Sequence, residues 1–118
     1  MTGLNVESDP LAKLVTRAGD GAIIVVNLVR LQPGKEEAHQ SYLDAVGPIL
    51  ARHGGLPSYA GESLGTLIGE EHWDRVAITH YPSTQALHNF VTDPEFVALA
   101  PLRHDALEAG VVHVFRAP

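Results

Sequence analysis

The sequence predicts an α+β fold in which one antiparallel sheet carries its helices on a single face, in the order β-α-β-β-α-β. Three observations carry this. Residues 23–29 are apolar and β-forming with one interruption, Asn27. Residues 73–83 read as a half-buried strand that runs into Pro82-Ser83, where a helix starts, and Asp93-Pro94 restarts a helical segment ten residues later. Between Pro33-Gly34 and Gly54-Gly55 lies a helical stripe of Ala38, Tyr42, Val46, Ile49 and Leu50.

Size and composition bound the rest. The chain has 118 residues, enough for one domain with a real core, and 45% of them are hydrophobic. A formal charge of −6 with only eight scattered Lys and Arg argues against a nucleic-acid partner, since phosphate binding needs clustered cations. Cysteine is absent, which excludes disulfides, thiolate metal sites and a thiol nucleophile. Residues 1–10 lack the basic and apolar regions of a secretory leader, and the apolar run at 22–26 is far too short to span a bilayer. The expected location is the cytoplasm, with no membrane partner.

Taken in order, Ser8-Asp9-Pro10 offers caps and a helix-starting proline, Leu11, Leu14 and Val15 repeat at helical spacing, and Gly19-Asp20-Gly21 ends the segment. Residues 1–20 thus form an N-terminal helical extension that covers a sheet edge or a partner subunit, and residues 21–118 form the main domain. The first strand occupies 22–31 and is apolar on both faces, so both of its sides must be covered. A helix follows over about 35–53, with Gly47-Pro48 inside it predicting a kink. Residues 56–68 read as an irregular edge strand with a bulge, broken by Pro57, Gly61 and Gly65. A hairpin turn at 69–72 leads into the strand at 73–81. The second helical region carries Leu87, Phe90 and Val91, restarts at Asp93 and runs through Phe96, Leu99, Arg103 and Leu107 with a bend at Pro101. Gly110 stops it, and 111–115 is the last strand.

That order is the ferredoxin-like pattern. Helices of the chain cover one face of the sheet, yet the central strand is apolar on the other as well. An exposed apolar sheet face marks an association site. Two copies packed face to face bury both, so a homodimer through the sheet face is the expected partner.

The segments 26–30, 45–55, 67–69, Trp73-Asp74, Tyr81-Pro82-Ser83 and Asp93-Pro94 together resemble domain-of-unknown-function family 1330, in the dimeric α/β-barrel superfamily. The resemblance spans about 22–114 and implies a dimeric α/β barrel. It implies little about chemistry, because that superfamily holds cofactor-free monooxygenases, lactone isomerases, polyketide cyclases, haem-degrading enzymes and proteins without known activity. The chain departs from the expected pattern at His80 (Arg expected), Tyr59 (Trp expected) and Leu102 (His expected).

His80 is the candidate proton carrier, at the end of an inner strand beside Tyr81, where a neutral imidazole can act as general base. The plain alternative is a histidine satisfying local backbone. Asn27 must find a hydrogen-bond partner, because burying an unpaired amide costs roughly 1–3 kcal/mol; either a substrate oxygen or a neighbouring strand supplies it. Arg103, in an apolar helical stripe, and Arg30, at a strand end, can each clamp a carboxylate or form an ordinary salt bridge. Tyr42 and Tyr59 can bind substrate through their hydroxyls, although an aromatic at helical spacing usually belongs to the core. Trp73 is expected over the hairpin or the dimer end. His113 and His80 flank the first strand, and whether they share a face with Asn27 depends on register. The seven histidines show no metal-ligand spacing, and neither metal nor cofactor is expected.

Two functions follow. One is a small cofactor-independent enzyme (isomerase, cyclase or monooxygenase-like) acting on a small apolar oxygenated metabolite in a cleft between sheet and helices. The other is a non-catalytic homodimer that binds a ligand or has a structural role. A pocket lined by His80, Asn27 and Arg103 favours the first, and a filled core the second.

Overall fold

The computed structural model describes residues 8–19 and 21–118. The capping expected of the Ser8 and Asp9 side chains, the reading of residues 1–7 and Asp20 of the expected helix stop lie outside what is described. The elements are α1 (Ser8–Ala18), β1 (Ile23–Leu31), α2 (Glu36–Arg52), β2 (Leu56–Glu62), β3 (Arg75–Tyr81), α3 (Thr84–Val91), α4 (Pro94–Val97), α5 (Ala100–Ala106) and β4 (Leu107–Arg116). Four antiparallel strands lie in the order β2-β3-β1-β4. The sheet is ferredoxin-like, with the predicted α+β element order.

β1 is held between β3 and β4, and their registers decide which side chains share a face. Ile23 lies opposite Tyr81 and Arg116, and Asn27 opposite Ala77 and Val112. Because side chains alternate along a strand, Ile23, Val25, Asn27 and Val29 point one way with Arg75, Ala77, Thr79 and Tyr81. This is the helix-covered side. Ile23, Val25, Ile49, Tyr81, Leu87 and Phe90 are buried there in one cluster, which Leu11 of α1 also joins. Full burial of an aliphatic side chain contributes roughly 1.5–3 kcal/mol, so this layer anchors the domain. The other side carries Ile24, Val26 and Leu28 with Val76, Ile78, His80, Val111, His113 and Phe115, and no element of the chain crosses it among the described residues.

Several boundaries differ from the sequence reading. α2 is not among them: it runs through Pro48 to Arg52, within a residue of the expected helix. The second strand ends at Glu62, and residues 63–74 form one long loop in place of a tight hairpin turn. Exposed Leu64, Leu67 and Ile68 gave that loop a strand-like composition without any partner strand. The last strand starts at Leu107, so Gly110 lies inside β4 and does not stop a helix. Gly110 sits opposite Val29, where pairing to β1 overrides its local preference. β2 is an edge strand whose register shifts between Pro57 and Tyr59, as its proline suggested.

Asp74 fastens the long loop to the sheet. Its backbone N–H donates to the Val29 carbonyl at 2.8 Å, and its own carbonyl accepts from Ser63 N–H at 2.8 Å. Leu31 N–H donates to the Asp74 carboxylate at 2.7 Å, and His72 Nε2 lies 2.9 Å from its other oxygen. Trp73 packs beneath the Arg30 guanidinium, 5.2 Å from its carbon to the ring centroid. On the opposite end, Asp93 caps α4 through Glu95 N–H and pairs with His53 at 2.7 Å, while Arg52 grips Glu95 with both terminal nitrogens.

The Leu31 hydrogen bond, then His72, holds the Asp74 carboxyl below its ordinary value of 3.8. A lowered folded pKa stabilises the fold above the unfolded value, and that contribution disappears as pH falls through the folded one. Asp74→Ala is expected to cost about 1–2 kcal/mol in urea unfolding at pH 7, since it strands a part-buried N–H. The difference between variant and wild type should shrink once the pH is brought below 3.8. A variant as stable as wild type at neutral pH removes Asp74 as the fastener.

Candidate functional site

A cleft of about 230 Å³ opens between the helix-covered side of the sheet, α2 and α5. Its polar lining is Asn27 from β1, His39, Gln40 and Tyr42 from α2, Arg75 from β3, Glu62 from β2 and Arg103 from α5; Val29, Leu43, Ala60 and Ala77 supply apolar wall. Each group arrives there for a local reason. Asn27, Ala77 and Ala60 are register partners across three strands, and so are Arg75 and Glu62 on the neighbouring rung of β3 and β2. His39 and Tyr42 stand three residues apart, on one face of α2. Small side chains at Ala60 and Ala77 leave the space that the larger groups surround.

His39 is the best-defined group in the cleft. It is buried, stacks on Tyr42 with ring centroids 6.2 Å apart, and lies 3.0 Å from Arg75 Nη1 through its Nδ1. A guanidinium can only donate, so Nδ1 accepts and the proton of the neutral ring sits on Nε2. Burial, then the charges of Arg75 and Arg103, push its pKa down from 6.5 to about 4. The ring is therefore neutral near pH 7, and Nε2 acts only as a donor. Burial likewise keeps the Tyr42 hydroxyl protonated by raising its pKa.

The cleft is rich in donors and poor in acceptors. Arg75 also reaches Glu62 at 3.4 Å, a loose contact to a carboxylate whose side chain is 78% exposed. Asn27 Oδ1 is shielded from water and has no hydrogen-bond partner among the described residues. Two arginines against one glutamate leave the lining positive in a chain of net charge −6. Such a site is built to hold an oxygen that carries or develops negative charge.

Residues 22–117 match the family model described as Domain of unknown function (DUF1330). The chain belongs to the DUF1330 family. No curated relative matches it. Among solved structures it is similar to a protein of unknown function from Rhodopseudomonas palustris, with 28% identity over 100% of this chain and 98% of that one and a TM-score of 0.87. A dimeric protein of unknown function with a ferredoxin-like fold from Bacteroides fragilis is 15% identical over 82% of this chain and 97% of that one, with a TM-score of 0.60. A hydroxynitrile lyase from Passiflora edulis is 14% identical over 84% and 95%, with a TM-score of 0.68. The last two likenesses are of fold.

In this DUF1330 chain three of the residues singled out in the sequence, Asn27, Tyr42 and Arg103, meet in one cleft. His80 and Tyr59 stand elsewhere. His80 lies opposite Ile24, on the uncovered sheet face, because its position in β3 has the other parity from Ala77. Tyr59 shares that face opposite Ile78 and is exposed, on the far side of the sheet from the cleft. Histidines 80 and 113 are thus together on one face, with Asn27 on the other. Sequence reasoning missed His39 and Arg75. The spacing His39, Tyr42, Val46, Ile49 carried the signal for the first, and the alternation Arg75, Ala77, Thr79, Tyr81 for the second. Arg30 pairs with Glu108 at 3.5 Å away from the cleft lining.

An NMR titration of the imidazole signals should find His39 neutral down to about pH 4. Arg75→Met should raise that value while leaving it below 6.5, since burial, the largest cause, remains. Because the folded pKa lies under the unfolded one, His39 lowers fold stability as pH falls from 6.5 towards 4. A His39 signal titrating near 6.5 would contradict the clamped, neutral ring.

Proposed function

We propose that this protein is a cofactor-independent enzyme that moves a proton within a small oxygenated metabolite, and that it works as a homodimer closed through the uncovered sheet face. The observation that carries the enzymatic reading is the neutral His39 clamped by Arg75 in a positively lined cleft. A carbonyl oxygen placed against His39 Nε2–H and the two guanidiniums would gain stabilisation as negative charge builds on it. Glu62, the carboxylate in the lining, is the group able to accept a proton. As the C–H bond next to the carbonyl breaks, its proton passes to Glu62 and its electron pair moves to the oxygen. Where the substrate carries a double bond between its β and γ carbons, return of the proton to the γ carbon shifts that bond to the α,β position, restores the carbonyl and completes an isomerisation without oxidant or metal. Asn27 and Tyr42 orient the substrate. His80, on the far side of the sheet, gives up the proton-carrying role to Glu62. Lyase activity on the same fold in the Passiflora edulis protein fits a sheet-and-helix cleft that hosts acid–base chemistry.

The dimer rests on the apolar face of β1 and its neighbours, where Leu56, Tyr59, Val111 and Phe115 are exposed. The long loop also carries bare aliphatics, Leu64, Leu67 and Ile68, at 106%, 96% and 91% exposure. Aliphatic side chains so bare in water call for a second copy, and dimers are described among proteins of this fold. These aliphatics also favour the alternative of a structural or ligand-binding homodimer without catalysis. Among the described residues no helix is long and apolar enough to cross a membrane.

In sedimentation equilibrium the chain should run at twice its 12.7 kDa mass. Phe115→Glu should weaken association at least ~10-fold, about 1.4 kcal/mol, while Arg75→Met leaves it intact. A monomer at micromolar concentration ends the dimer proposal. For the chemistry, small 2-oxo acids and hydroxyketones should lose C–H signal in D₂O faster with enzyme than without. Glu62→Gln should slow that exchange by roughly 100-fold or more. If no compound exchanges above the buffer rate, the non-catalytic reading takes its place.

A further inference from the structure

We infer, on the basis of the sheet-face homodimer proposed above, that pH governs its association through His80 and His113. Register puts both rings on the uncovered face. His80 lies opposite Ile24 and His113 opposite Val26, at consecutive positions of that face on either side of β1. Adjacent strands are only about 4.8 Å apart, so a second sheet laid over β1 also covers β3 and β4. Both imidazoles then leave bulk water together with the aliphatic side chains around them.

The surroundings of the two rings decide which form of them the interface accepts. Beside His80 stand Leu56 of β2 and Ile24 of β1, with Phe115 of β4 one strand further on. Beside His113 stand Val26 and, on its own strand, Val111 and Phe115, whose ring it stacks on with centroids 4.6 Å apart. Tyr59, opposite Ile78, is the other titratable group nearby. The charged groups are Arg30, near the far end of β1, and Glu108 on β4, and they pair with each other at 3.5 Å. His72, whose carbonyl accepts from Arg30, is in turn paired with Asp74. A symmetric partner brings the same groups again. Neutral imidazoles fit such an interface, since each has one donor and one acceptor to share. Imidazolium ions do not, because each would lose its hydration without gaining a carboxylate. The attraction of a cation to the Phe115 ring is too weak to replace that water. His53 and His72 each have a carboxylate partner, and His80 and His113 have none among the described residues. The dimer therefore lowers the proton affinity of both rings, so it is favoured above the free imidazole value and loses favour as pH falls through it. With that value at about 6.5, each ring obliged to shed its proton weakens association roughly 30-fold at pH 5. His39, neutral down to about pH 4, takes no part in this range.

Sedimentation equilibrium of the intact protein at pH 8 and pH 5, at one ionic strength, reads the effect. The dissociation constant should rise at least ~30-fold at pH 5, with circular dichroism showing a folded chain at both values. The double variant His80→Gln/His113→Gln keeps polar side chains that take no proton, and it should dimerise equally at both. In the wild-type chain the His80 and His113 NMR signals should titrate at lower pH in concentrated than in dilute samples. That comparison decides the matter even where the double variant fails to fold or to associate. Equal association at pH 8 and pH 5 leaves the homodimer standing and overturns its control by pH. Dissociation at pH 5 that persists in the double variant, or that comes only with unfolding, overturns it too, as do imidazole titrations independent of concentration. A chain that is monomeric at pH 8 removes the homodimer itself and this inference with it.

Discussion

The arrangement of the whole molecule depends on the alternation of side chains along β1. An extended backbone sends successive residues to opposite sides, and the paired β3 and β4 lock which residues go where. A slip of one position would exchange the two sets in full. Ile23, Val25 and Val29 thereby enter the core with the helices, and Ile24, Val26 and Leu28 line the bare side. A strand with such a composition is stable only where both of its faces are relieved of water. The helices relieve one. The need to relieve the other is what an association surface amounts to in physical terms.

The same alternation places a polar amide in the core layer. Asn27 follows Val25 and precedes Val29 on the side packed by α2, and it stands at the point where the packing opens into the cleft. On one side of that opening Tyr81, Phe90 and Phe96 close the core, the last two with ring centroids 4.4 Å apart. On the other, Ala60 and Ala77 are too small to fill the space, and His39, Arg75 and Arg103 surround it. Charges so placed would be costly without partners. Arg75 meets this by donating to a ring that is kept neutral by the same burial that would penalise a charged one. The cleft is held open by polar groups whose mutual arrangement leaves donors available and an acceptor unmet.

Much of this architecture was legible in the chain. The β-forming run, interrupted only at Asn27, predicted the central strand, Pro57 and the nearby glycines predicted a bulged edge strand, and Ser83 and Asp93 predicted the helix starts that they cap. The candidate site was legible in part. Asn27 and Arg103 stood out because polar residues in apolar runs demand an account, and Tyr42 because it lies on the helical stripe. His80 stood out by its chemistry, yet the face it occupies is set by register, which comes from pairing between segments some fifty residues apart. His39 and Arg75 were not singled out, since nothing local reveals that each is the other's partner across the sheet–helix boundary. The loop at 63–74 was read as strand and turn because its aliphatic residues carry a β-like composition, whereas its path is set by Asp74 bonding to β1.

The central strand presents its two surfaces back to back, one residue apart. Odd-numbered positions from 23 to 29 look into the core at 23 and 25 and onto the cleft at 27 and 29, and even-numbered positions look away from both. For protein engineering this amounts to a built-in partition. A library restricted to positions 27 and 29 varies the cleft lining and leaves the uncovered surface unchanged, and one restricted to the even positions varies that surface and leaves the cleft unchanged. An inserted or deleted residue in this stretch has no such neutral direction, because it would turn the inside of the molecule outward along the full length of the strand.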